Sequence, residues 1–211
     1  MLLLVSGASC VGKSTARVAA APLLGDTVDT AELFTLGPIP AVPTIEWRQR
    51  QVEVAVRKAV ELDRAGRHLL FAGDPVPAGE ALAAPSADLI DIAVCLLDAN
   101  EEALTARLRA RRDPAELLPR HLTFAEWLRR HASDPTYVPE AVTTDAWPEM
   151  RWQRWVGRGD IADRWAMSVI DTSALARHDV ARELAAWCRA ATAGEAPVFR
   201  KGWHLPGGAG A

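Results

Sequence analysis

A glycine-rich stretch near the amino terminus carries the clearest chemical pattern in the chain. Residues 7–15 read GASCVGKST, and the pattern G-x-x-x-x-G-K-[ST] is matched in full by Gly7, Gly12, Lys13 and Ser14. An apolar run precedes the stretch and a helix-like segment follows it, which is the context that a phosphate-binding loop requires. Glycines let successive backbone N–H groups point at a phosphate, a lysine adds positive charge there, and a serine hydroxyl can ligate Mg²⁺.

We therefore expect this loop to bind ATP together with Mg²⁺, with Ser14 as the metal ligand. Lys13 is the predicted catalytic cation, and the Cys10 backbone rather than its thiol is expected to matter. The residues predicted to surround the phosphates are Gly7, Ala8, Ser9, Cys10, Val11, Gly12, Lys13, Ser14 and Thr15. The alternative is a glycine-rich turn that binds nothing.

Composition limits the class of protein. The chain has 211 residues, 49% of them hydrophobic and 24% charged, with a net charge of −3. This balance predicts one globular domain without the basic field that nucleic acids or membranes attract. The three cysteines show no CxxC spacing, which indicates neither a zinc site nor a disulfide framework and favours the cytoplasm. The apolar run after Met1 is too short for a secretory signal or a membrane span, so we expect a buried strand.

The order of apolar runs and amphipathic stretches predicts an α/β fold. Strands are expected over residues 1–6, from 26 to about 29, and in RHLLFAGD, DIAVCLLDAN and WAMSVIDTS. Helices are expected between them, including a long one from Thr44 to Gly66. Such alternation favours a three-layer fold with a parallel sheet of about five strands.

Residues 113–165 interrupt the alternation, because they are rich in Arg, Trp and Pro and predict helices without a strand. We interpret them as a helical lid inserted into a domain that spans residues 1–193. The tail, residues 194–211, shows little pattern and is expected to be flexible. The tryptophans of the insert leave two interpretations open: an aromatic wall for a partly apolar substrate, or packing within the insert.

A phosphate-binding loop alone does not distinguish kinases from GTPases or motor ATPases. The guanine-reading stretch Asn/Thr-Lys-x-Asp is absent from the sequence, and neither LLFAGD nor AVCLLD ends in the paired acids of motor ATPases. Phosphoryl transfer to a small acceptor therefore fits the sequence better.

The order of the loop, VDTAEL, HLLFAGD, AVCLLDA, LTARLRARR and a lid-like insert resembles the small P-loop kinases. That group of P-loop NTPases includes the nucleoside monophosphate, shikimate and gluconate kinases, and the resemblance covers residues 1–192. It implies that Arg107 stacks on the adenine and that Arg111, one helical turn later, reaches the phosphates from the lid. A solvated basic helix face is the alternative for this pair.

Two acids at the ends of neighbouring strands are candidates for deprotonating or contacting the acceptor. Asp29 is predicted to end the second strand and to deprotonate an acceptor hydroxyl, and its segment matches the acid-bearing one of gluconate- and shikimate-type kinases. Asp74, after the third strand, is predicted to contact the substrate or to ligate Mg²⁺ through water. A helix N-cap is the alternative for each.

Arginines decide between the possible acceptors. Nucleoside monophosphate kinases place one shortly after the second strand and another after the third, whereas DTAELFTLG and GDPVPAGE contain none. Arg48, at the start of the long helix, is a possible substitute and a predicted substrate contact. The favoured function is thus an ATP- and Mg²⁺-dependent transfer of the γ-phosphoryl group to a small-molecule hydroxyl by a cytoplasmic monomer or homodimer. A nucleoside monophosphate kinase and a regulatory ATPase without an acceptor remain the alternatives.

Overall fold

The computed structural model describes residues 1–73 and 75–206 of the chain. All five strands run parallel in the order β2-β3-β1-β4-β5, which confirms the predicted α/β sheet. The strands are β1 Leu2–Ser6, β2 Val28–Glu32, β3 His68–Ala72, β4 Ile92–Asp98 and β5 Ser168–Asp171. The helices are α1 Lys13–Leu24, α2 Ile45–Arg64, α3 Ala78–Ala83, α4 Glu101–Arg111, α5 Leu118–Ser133, α6 Glu140–Thr143 and α7 Arg177–Ala193.

The central strands are apolar because helices lie on both sides of the sheet. Every residue of β1 is buried, as are all of β4 except Asp98. Helix α1 packs against α7, and α2 packs against β3 and α3. No helix among the described residues is long and apolar enough to cross a membrane.

The predicted end of the second strand is wrong. A short 3-10 turn occupies Gly25–Thr27, so β2 begins only at Val28 and continues to Glu32. As an edge strand that pairs only with β3, β2 tolerates polar residues along its length. Asp29 is therefore the second residue of the strand and not its last.

The insert contains no strand between Asp98 and Ser168, all of which the structure describes. Its second half is fixed to the body: the Gln49 amide donates to the Val142 carbonyl at 2.9 Å and accepts from the Trp147 backbone N–H at 2.7 Å. Arg154 is buried and donates to the carbonyls of Leu82 and Ala84. A lid motion therefore stays a prediction only for the part before residue 142.

Two tryptophans of the insert, Trp155 and Trp165, are buried. Trp155 is fully buried and donates through its ring nitrogen to the Gly79 carbonyl at 2.9 Å. Trp155 also packs on Trp165, which in turn contacts Phe199 and Trp203. Packing therefore accounts for these tryptophans.

The prediction of a flexible tail is wrong for residues 194–206. Phe199 pairs with Ile92 in an antiparallel bridge, and both Phe199 and Trp203 are buried. An ion pair of 2.9 Å joins Arg200 to Asp91. Two aromatic anchors thus fix a segment that has no helical or strand periodicity; residues 207–211 lie outside the described part.

Candidate functional site

The glycine-rich loop joins β1 to α1 at the carboxyl end of the sheet. Gly7 has a φ of +144°, and a Cβ at this position would collide with the Leu97 carbonyl oxygen of β4. Gly12 has a φ of +101° and stands directly before the first residue of α1. Both glycines therefore hold backbone conformations that side chains rarely adopt, and the loop can wrap around the helix N-terminus.

The predicted cation and the predicted metal ligand stand side by side at the start of α1. The Lys13 ammonium is buried and donates to the Ala8 carbonyl at 2.7 Å, inside the loop. The Ser14 hydroxyl donates to the Glu32 carboxylate. A hydroxyl and a carboxylate are oxygen ligands of the kind that Mg²⁺ prefers, so this pair fits the predicted metal.

Glu32 was not predicted from the sequence. It ends β2, and the strand register pairs it with Ala72 of β3, which in turn pairs with Val5 of β1. The carboxylate therefore lies at the same edge of the sheet as the loop, where Arg17 also approaches it at 3.6 Å. If the second strand had been predicted to end three residues later, Glu32 and not Asp29 would have been the acid at its carboxyl end.

Asp29 lies away from the loop. The register pairs it with Leu69 and, through that residue, with Leu2 at the amino end of β1. Three residues of strand separate it from Glu32, a distance of about 10 Å along the strand. Its carboxylate forms an ion pair of 3.0 Å with Arg67. Asp29 was predicted as the catalytic base because it was expected at the carboxyl end of the strand, and it does not lie there. Asp74 lies outside the described residues.

A pocket of about 640 Å³ opens beside the loop on the side of α4 and α7. Arg107 lines it and is fixed by Thr172, whose hydroxyl and carbonyl accept from the guanidinium at 2.9 and 2.5 Å. Thr172 is buried and also donates to the Asp98 carbonyl at 2.8 Å. We name this the nucleotide-side pocket; its lining also includes Cys10, Val11, Gly12, Thr15, Arg111 and Leu175.

Arg111 connects the loop to the insert. Its guanidinium donates to the Ser9 hydroxyl at 3.2 Å and to both oxygens of Asp113, at 2.6 and 2.5 Å. These hydrogen bonds hold the pKa of Asp113 below its usual range. The structure therefore brings Arg107, Arg111 and the loop together, as the sequence predicted.

A second pocket, of about 720 Å³, borders the loop at Ser9 and is also lined by Pro75. Helix α5 and the segment after it form one wall, and the first turn of α2 contributes Arg48. We name it the acceptor-side pocket. The predicted contact Arg48 thus lines a cavity that meets the phosphate loop.

Arg48 is held rigidly by a carboxylate that the sequence did not single out. Glu80, fully buried in α3, accepts from Arg48 Nε at 2.8 Å and from Nη2 at 2.5 Å. Burial disfavours the charge on Arg48, but attraction and hydrogen bonding by Glu80 outweigh it, so the pKa of the guanidinium lies above its usual value. The pair gives one end of the pocket a pre-oriented cation.

A buried histidine fixes the α5 wall of the pocket. His131 Nε2 accepts from the Gly79 backbone N–H at 3.2 Å, and its ring stacks on Trp127 with centroids 4.6 Å apart. Burial lowers the pKa of His131 to about 4, so the ring is neutral near pH 7. The neutral ring joins α5 to α3.

Comparison with known proteins finds no matching family model and no matching curated protein. The solved structures that resemble this one include three small-molecule kinases. A sugar kinase from Janibacter sp. HTCC2649 is 18% identical, with a TM-score of 0.53 over 91% of this chain and 96% of that one. A gluconokinase from Sinorhizobium meliloti 1021 is 18% identical, with a TM-score of 0.54 over 90% and 93%. A shikimate kinase from Acinetobacter baumannii in complex with shikimate is 15% identical, with a TM-score of 0.51 over 90% and 93%.

These similarities extend over almost the whole chain, at low sequence identity. They agree with the five-stranded parallel sheet and with the loop between β1 and α1. The chain therefore has the P-loop kinase fold.

Proposed function

We propose that the protein is an ATP-dependent phosphotransferase that moves the γ-phosphoryl group to a hydroxyl of a small molecule. The observation that carries the proposal is the position of the two pockets, which both border the phosphate loop: one is lined by Cys10, Val11, Gly12 and Thr15, and the other by Ser9. A nucleotide in one pocket and an acceptor in the other would place donor and acceptor around one phosphate. The names of the similar structures, which act on small molecules, support this direction.

On the donor side, each charged group has a distinct role. Arg107 would contact the adenine from the nucleotide-side pocket. Lys13 and Arg111 would stabilise the negative charge that develops on the transferred group. Ser14 and Glu32 would hold Mg²⁺, which neutralises phosphate charge when bound.

On the acceptor side, the hydroxyl oxygen forms a bond to the γ-phosphorus while the bond from that phosphorus to the bridging oxygen of ADP breaks. The hydroxyl proton must pass to a base at the carboxyl ends of β2 and β3. Glu32 lies at the first of these ends but is assigned to Mg²⁺, so Asp74, which follows β3 in the sequence, replaces Asp29 as the candidate base. Closure of the segment before residue 142 would exclude water as a competing acceptor.

The compartment, the oligomeric state and the binding partners are also part of the proposal. We propose a cytoplasmic enzyme, acting as a monomer or homodimer on a nucleoside triphosphate and a small molecule, without nucleic acid or membrane. The net charge of −3 supports this choice of partners.

Two substitutions on the same edge strand test the proposal. With γ-labelled ATP and a pool of hydroxylated metabolites, Glu32→Gln should reduce transfer by at least about a hundredfold, because it removes a charged oxygen beside Ser14. Asp29→Asn, three residues away, should retain transfer because Asp29 contacts Arg67 and not the loop. Equal activity of the two variants, or loss with Asp29→Asn alone, would contradict the assignment.

A further inference from the structure

The lining of the acceptor-side pocket is mostly apolar. Besides the charged residues at its ends, the pocket is lined by Pro75, Leu117, Phe124, Trp127, Tyr137, Val138 and Ala141. A polyol needs hydrogen-bond partners for each of its hydroxyls, since burying one without a partner costs free energy. The polar partners in this pocket are Ser9, Arg48, Arg120, His121, Thr123 and Glu126, and the apolar residues between them suit a ligand with an apolar body of limited size.

The aromatic part of the lining is already formed. Phe124 and Trp127 stack with centroids 5.5 Å apart and planes 20° apart. The Trp127 ring nitrogen donates to the Val138 carbonyl at 3.0 Å, and the opposite contact with His131 fixes the ring in place. Tyr137 lies under the Arg130 guanidinium, 5.1 Å from its ring centroid. A pre-formed aromatic surface favours flat ligands, because aromatic rings gain from offset stacking and no reordering is needed.

Two arginines line the same pocket, Arg48 in its ion pair with Glu80 and Arg120 at an exposed position of α5. Among the residues that the structure describes, Arg48 Nη1 has no hydrogen-bond partner, although Nε and Nη2 are held by Glu80. Arg120 lines the pocket as well, and no carboxylate among the described residues forms an ion pair with it. An acceptor with one anionic group could therefore gain charge-assisted hydrogen bonds from both guanidinium groups.

We propose that the acceptor is a hydroxylated aromatic acid. Its ring lies against Phe124, beside the edge of Trp127, its anionic group lies at Arg48 and Arg120, and its hydroxyl points toward the loop at Ser9. This assignment names the substrate class of the proposed kinase and rests on that function, while its ring-binding part can be tested without transfer.

Binding measured by calorimetry in the absence of ATP tests the ligand class. The probes are a panel of hydroxymethyl-benzoates and hydroxyphenylacetates, their neutral methyl esters, and gluconate as an acidic polyol without a ring. We expect the aromatic acids to bind, the esters to bind about tenfold more weakly, and gluconate to bind more weakly still. Gluconate binding as tightly as the best aromatic acid, or no aromatic acid binding at all, would overturn the proposal.

Variants separate the two parts of the pocket. Arg120→Ala should weaken the acids about tenfold and leave the esters unchanged, whereas Phe124→Ala should weaken acids and esters alike. Arg109→Ala, at an exposed position on α4, serves as the matched arginine control and should bind as the wild type does. Thermal unfolding of each variant verifies that the fold is kept. If Arg120→Ala and Phe124→Ala cannot be distinguished from wild type in binding, the assignment of the pocket is wrong.

Transfer from ATP distinguishes failure of this inference from failure of the proposed function. Phosphorylation of gluconate, with no binding of aromatic acids, would contradict the inference and leave the kinase function intact. Binding of aromatic acids with the expected variant pattern, but without transfer to any acceptor, would support the ligand class and contradict the kinase function.

Discussion

Mild acid should destabilise the protein through one buried histidine. His131 is 1% exposed, and its Nε2 accepts a hydrogen bond from Gly79, so the fold requires the neutral ring. Burial lowers its pKa from the ordinary 6.5 to about 4. Between these values the unfolded chain binds a proton that the folded chain does not, so stability is complete above pH 6.5 and falls as the pH drops toward 4.

The size of the effect follows from the two pKa values. At pH 5 the unfolded histidine is almost fully protonated and the folded one is about one-tenth protonated. The stability lost between pH 7.5 and pH 5 is then about 2 kcal/mol from this residue, at about 1.4 kcal/mol for each unit of pKa. His68 and His204 also have pKa values lowered by burial and act in the same direction, so the total loss should be larger.

Urea unfolding followed by tryptophan fluorescence at both pH values isolates the contribution. His131→Phe keeps a ring against Trp127 but cannot titrate. Without an acceptor for the Gly79 N–H it should be less stable than the wild type at pH 7.5 by about 1–3 kcal/mol. Its additional loss at pH 5 should be about 2 kcal/mol smaller than that of the wild type. If both proteins lose the same amount on acidification, the argument from His131 is refuted.

Other contacts give expectations for single substitutions. Gly7→Ala should abolish ATP binding measured by calorimetry, because the added Cβ meets the Leu97 carbonyl and the loop must shift. Glu80→Gln should cost about 3–5 kcal/mol in urea unfolding, since it leaves Arg48 buried without a carboxylate. Trp203→Ala should cost about 3–5 kcal/mol, because this buried side chain anchors the segment after α7.

Each of these substitutions has a control elsewhere in the chain. Gly12→Ala meets no atom within 4 Å and should weaken ATP binding less than Gly7→Ala does, through its φ alone. Glu46→Gln breaks an exposed helix pair and should cost less than about 1 kcal/mol. Leu205→Ala removes a side chain that is 52% exposed, so a cost equal to that of Trp203→Ala would mean that the tail is not anchored as described.

The sequence predicted the features that local patterns encode. The phosphate loop depends on four fixed residue types between a strand and a helix. The spacing of Arg107 and Arg111 predicts that they share a helix face, and the resemblance to small P-loop kinases implies their position near the loop. The central strands β1, β3 and β4 were also predictable, because strands covered on both faces are continuous apolar runs.

The features that depend on long-range pairing were not predictable. The identity of the acid beside Ser14 depends on the register of β2 against β3, and a three-residue error in the strand end exchanged Glu32 for Asp29. Glu80 and His131 gain their importance from burial against residues far away in the chain, namely Arg48 and Gly79. The tail contains its anchor Phe199 without any periodic signal, so nothing in that segment alone predicts order.

The measurement that tests the central claim most directly is the fate of the γ-phosphoryl group. The purified protein is incubated with γ-labelled ATP, Mg²⁺ and either a pool of hydroxylated small molecules, including the aromatic acids, or nucleoside monophosphates. The proposed function predicts label in an organic phosphate ester, formed with the hydroxylated pool and lost with Lys13→Ala. Label found only in inorganic phosphate, or only in nucleoside diphosphates, would contradict it.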